Sequence, residues 1–62
     1  MIYENVKKLA DKKGISLKQL EVKAGVGNGI IGKWRESSPT VDSIKAVADA
    51  LGVKVTDILK GV

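Results

Sequence analysis

Cysteine and histidine are both absent from the sequence, and proline occurs once in 62 residues. Without cysteine there is no disulfide scaffold, and without either residue no Cys/His zinc site. The same absence removes the cysteine nucleophile and the histidine general acid–base. Long apolar runs are missing too: none approaches the ~20 residues of a membrane span, and none resembles a signal peptide. The expected location is the cytoplasm. Asp and Glu are scattered at helical surface positions, with no pair placed for acid–base work. No enzyme and no cofactor are expected. At this length residues 1–62 make one domain at most. Ordering costs of about 1.5 kcal/mol per residue nearly cancel burial at such a size, which argues against a deep substrate pocket and for a binding module.

What the chain does contain is a globular balance, 44% hydrophobic and 29% charged residues. Eleven Lys+Arg against seven Asp+Glu give a net charge of +4. The excess is one-sided. Residues 1–36 hold eight basic and four acidic side chains, whereas residues 37–62 hold three of each. Such asymmetry suggests a polyanionic partner, either nucleic acid or a membrane surface. Taken singly, Lys7, Lys8, Lys12, Lys13 and Lys23 suit plain solvation of a helical surface equally well.

Apolar spacing divides the chain into short helices. Ile2, Val6, Leu9 and Ala10 recur at helical intervals before Gly14, predicting a helix over 2–13. Ser16-Leu17-Lys18-Gln19 has the pattern of a capping box, with Ile15 and Leu20 at the staple positions. It opens a second helix over 17–24 that Gly25 ends. A turn, Gly25-Val26-Gly27, leads into a third helix over 28–36, with Ile31 and Trp34 inward and Gly27 as its cap. Gly29 and Gly32 make that helix intrinsically weak. Thr40 caps a fourth helix over 41–51, with Val41, Ile44, Val47, Ala48 and Leu51 inward and Gly52 as its stop. A last short helix starts at Lys54 or Thr56 and runs through Leu59, packing Ile58 and Leu59, with Gly61 as a terminus. No strand pattern, repeat or linker is visible. The predicted architecture is all-α, four to five short helices around one core.

A capped short helix, a glycine in a tight turn and a second helix with two inward apolar residues are what a helix-turn-helix requires. The stretch Ile15-Ser16-Leu17-Lys18-Gln19-Leu20…Ala24-Gly25-Val26…Ile31…Trp34 resembles the core motif of the lambda repressor/Cro-like, or xenobiotic response element, family of helix-turn-helix regulators. Ser38-Pro39-Thr40-Val41-Asp42…Ile44…Val47-Ala48…Leu51-Gly52-Val53 is similar to its fourth helix, and Val55…Ile58-Leu59 to its fifth. Three positions depart from the pattern. Leu17 stands where the family often has a phosphate-contacting Gln, Glu21 where a small Ala is usual, and Gly27 where a Ser starts the turn.

The resemblance implies a DNA-binding transcriptional regulator, Cro-like or of phage-repressor type, whose third helix reads the major groove. An antitoxin or protein-binding adaptor on the same fold is the alternative. It also implies a homodimer on near-palindromic double-stranded DNA, with Val55–Val62 a guess for the dimer surface and, if antitoxin-like, a protein partner. Helical arithmetic at ~100° per residue puts Gly29, Gly32 and Lys33 outward, opposite Ile31 and Trp34, with Asn28 and Ile30 on the flanks. Asn suits adenine, Lys suits guanine acceptors and Ile a thymine methyl, so Asn28, Gly29, Ile30 and Lys33 are the candidate base readers. Asn28 and Lys33 can equally be solvated polar residues, and the glycines a site of helix packing or looseness. Lys18, Gly27, Arg35, Ser37 and Ser38 are candidate phosphate contacts. Glu21, Gly25, Val26, Ile31 and Trp34 are expected to support the recognition helix. For Glu21 three readings stand: an acceptor for free N–H groups near Asn28 and Gly29, a partner for Lys33 or Arg35, or an exposed surface charge. Gly27-Asn28-Gly29-Ile30-Ile31-Gly32 matches the dinucleotide fingerprint letter for letter, but a capped helix rather than a strand precedes it, so nucleotide binding is set aside.

Overall fold

Five helices follow one another in the computed structural model, which describes residues 2–60. They are α1 (Ile2–Lys13), α2 (Leu17–Ala24), α3 (Ile30–Lys33), α4 (Val41–Leu51) and α5 (Val55–Leu59). No strand occurs among the described residues. Local capping chemistry sets most of the boundaries. Ser16 Oγ accepts from the Gln19 N–H at 3.0 Å, and Gln19 Oε1 accepts from the Ser16 N–H at 2.9 Å. Thr40 Oγ1 accepts from the Ser43 N–H at 3.2 Å to open α4. At the start of α5, Asp57 Oδ2 accepts from the Lys54 N–H at 3.1 Å. Helix α2 closes with a paired set of turn bonds, Gly25 N–H to the Val22 carbonyl and Val26 N–H to the Glu21 carbonyl. This closure needs the left-handed backbone that Gly25 adopts at φ 74°. The ends of α1 and α4 repeat the same bond pattern.

Helix α2 packs mainly on α4, and α1 on α5. The core between them contains Val6, Leu20, Ile31, Val47 and Ile58, each fully buried, with Trp34 closing it at 6% exposure. Asn5 ties the two ends of the chain together. Its Nδ2 donates to the Ile58 and Lys60 carbonyls at 2.8 and 2.6 Å, satisfying acceptors that the end of α5 leaves open.

Four expectations are corrected. The third helix spans 30–33, not 28–36. Gly29, at φ 80°, cannot be helical and is itself the N-cap, so Gly27 is not. Beyond Lys33 the chain continues as turns closed by Trp34→Ile31 and Glu36→Lys33 backbone bonds. Val41 is 67% exposed and is no part of the inward stripe; it is the first residue of α4, directly after the Thr40 cap, and burial begins at Ile44. Leu59 is exposed while its neighbour Ile58 is fully buried. Gly61 and Val62, named above as a terminus and part of a dimer surface, lie outside the described residues.

Candidate nucleic-acid interface

The segment from Gly25 to Gly29 crosses from α2 to α3, and a single carboxylate organises its far end. Glu21 is 6% exposed on α2. Its Oε1 accepts from the Gly29 N–H at 2.9 Å and its Oε2 from the Ile31 N–H at 3.0 Å. Between those two donors the Ile30 N–H donates to the Gly27 carbonyl at 3.2 Å. Three consecutive amides at the start of α3 are therefore satisfied, two of them by Glu21. Gly29 has no side chain with which to cap α3, and Glu21 takes that role from the neighbouring helix. A helix of one turn has little macrodipole, so the hydrogen bonds themselves carry the effect.

Of the three readings of Glu21, the acceptor is the one found, with Gly29 and Ile31 as the donors. The surface-charge reading fails on its burial. Among the described residues Glu21 pairs with neither Lys33 nor Arg35; the ion pair found there is the exposed Lys7–Asp11 contact at 3.7 Å.

Beneath the turn, Ile31 and Trp34 anchor α3 into the core. The opposite side faces solvent, with Asn28, Gly29 and Lys33 exposed. At Gly32 an added Cβ would meet nothing within 4 Å, so packing inside the molecule does not demand a glycine there. Arg35 is exposed and yet held. Its guanidinium lies over the Tyr3 ring, 5.3 Å from the centroid, and its Nε donates to the Gly32 carbonyl at 3.2 Å.

A family model described as helix-turn-helix matches residues 6–58. The chain belongs to that family, of Cro/C1 type. No curated protein matches it. The helix-turn-helix domain is a DNA-binding one, and none of the helices among the described residues is long and apolar enough to cross a membrane.

In this helix-turn-helix domain, Asn28, Gly29 and Lys33 are each exposed, the first two in the turn before α3 and Lys33 at its last position. Ile30 differs from them: it is half-buried and packs against the core. Of the expected phosphate contacts, Lys18, Gly27, Arg35, Ser37 and Ser38 are all exposed. Ser37 already donates its hydroxyl to the Lys33 carbonyl at 3.2 Å. Gly25 and the half-buried Val26 lie at the turn, and Ile31 and Trp34 are buried. Two contacts carry no local sequence signal, the Tyr3–Arg35 stack and the Asn5 bonds, because each joins residues far apart in the chain.

Proposed function

We propose that the chain is a sequence-specific transcriptional regulator, a Cro-like or phage-type repressor acting in the cytoplasm. In this reading residues 1–62 form one domain and α3 reads the major groove. The observation that supports it best is the turn before α3, fixed by the buried Glu21 while Asn28, Gly29 and Lys33 stay exposed. Asn28 pairs with adenine and Lys33 with guanine acceptors. Gly29, with Gly32, lets the backbone approach the base edges, and Ile30 offers the remaining part of its side chain to a thymine methyl. Lys18, Gly27, Arg35, Ser37 and Ser38 position the domain on phosphates. The longest extent of the molecule is 24 Å, shorter than the ~34 Å of one helical turn of DNA. One copy thus covers one half-site, and a homodimer covers a near-palindrome.

Selection of bound sequences from a random duplex pool tests the reading. An enriched palindrome is expected, and Asn28→Ala and Lys33→Ala should each relax preference at one position at a cost of about 1–3 kcal/mol. A pool with no enrichment overturns sequence-specific binding and favours a protein-binding adaptor on the same fold.

A further inference from the structure

Most exposed arginines are either mobile or neutralised by a carboxylate. Arg35 is neither. Its guanidinium rests on the ring of Tyr3, in the first turn of α1, and its Nε is tied back to the Gly32 carbonyl. Among the described residues no carboxylate forms an ion pair with it. An aromatic face attracts a cation through its quadrupole and leaves the charge uncompensated, which a carboxylate does not. Tyr3 is itself half-buried against the core, so the platform is firm. With Nε engaged, the two terminal nitrogens of the guanidinium remain for a partner, and their planar fork fits phosphate oxygens.

We propose that Tyr3 is a positioning residue for DNA, holding Arg35 in place just after α3 so that it clamps a backbone phosphate. This rests on the DNA-binding reading above. A long side chain immobilised before binding does not lose that rotamer freedom in the complex. The ring of α1 therefore contributes to affinity without touching the nucleic acid.

A double-mutant cycle on a short mixed-sequence DNA duplex at low salt, read by fluorescence anisotropy, tests this. Tyr3→Leu should weaken binding about three- to tenfold, while Tyr3→Phe, which keeps the ring, stays within about twofold of the parent. In an Arg35→Ala background Tyr3→Leu should have almost no further effect. Trp34 fluorescence checks that each variant is folded. Equal weakening by Tyr3→Leu in both backgrounds means that Tyr3 acts through the fold alone, and overturns the proposal. So does an unchanged affinity, or a Phe variant as weak as the Leu one. A parent chain that fails to bind the duplex overturns the DNA-binding reading itself, an outcome distinct from an additive cycle.

Discussion

Glu21 sits where a small apolar residue usually lets α2 meet α3, and a buried carboxylate without partners would be costly there. Its two amide donors resolve the conflict. The arrangement trades a side-chain cap on α3, which Gly29 cannot provide, for an acceptor fixed on the more stable α2. Hydrogen bonds to a charged acceptor contribute about 1.5–3 kcal/mol each in favourable cases, and a buried amide left open costs about 1–3. Glu21→Ala should therefore destabilise the fold by about 2–4 kcal/mol. Glu21→Gln should fall between, since one amide oxygen can still accept while its NH2 group faces a backbone donor. Denaturant melts give the ranking, and amide exchange at Gly29 and Ile31 should accelerate first. An Ala variant as stable as the parent would show that water replaces the carboxylate without loss.

The third helix is the shortest element, and the glycines at its N-cap and in its interior act in opposite ways. Gly29 uses a left-handed backbone, at φ 80°, so Gly29→Ala should cost about 1–2 kcal/mol. Gly32 has no positive φ, and a Cβ there meets nothing. Gly32→Ala should raise stability by about 0.5–1 kcal/mol through the unfolded chain. If the backbone of α3 comes close to base edges, the same variant should bind DNA more weakly although it melts higher. Thermal melts paired with anisotropy titrations check both, and an Ala variant that binds as the parent does removes close approach at Gly32. The contrast also marks how far the sequence can be read. Helices α1, α2 and α4 were legible because their caps are local: Ser16 with Gln19, Thr40 with Ser43, and glycines just past the last apolar residue. The true length of α3 was not, since nothing in Gly27-Asn28-Gly29 says which glycine turns left-handed. The inward places of Ile31 and Trp34 and the outward ones of Gly29 and Lys33 were legible from spacing. The carboxylate at position 21 announced a missing partner, although the donors came out as Gly29 and Ile31. What stayed hidden were Asn5 closing α5 and Tyr3 under Arg35, both created by packing between distant segments.

At the scale of the whole molecule, the charge asymmetry and the size of the domain act together. The molecule measures 24 × 21 × 17 Å. At 0.01 M salt the screening length is about 30 Å, so a DNA duplex meets the entire net charge of +4 at once. Near 0.15 M salt it is about 8 Å, and only cations in direct contact with phosphates still count. Among the eight basic residues of the first 36, Lys18, Lys23, Lys33 and Arg35 are exposed on α2, α3 and the turn that follows. Lys7 is already paired with Asp11. Four neutralised phosphates correspond to a slope of log K against log salt of about −4 for each copy bound. Arg35→Ala should reduce that slope by about one and weaken all sequences alike. Lys45 is equally exposed but lies on α4, in the part of the chain with no net charge. Lys45→Ala removes the same formal charge, so it should lower affinity slightly at low salt, through the net field, and reduce the slope by clearly less than Arg35→Ala does. Titrations of the parent and both variants across a salt series separate contact from field. A parent slope near zero would remove the electrostatic basis for DNA binding, and equal slope changes in the two variants would mean that the duplex does not distinguish the α2–α3 face from α4.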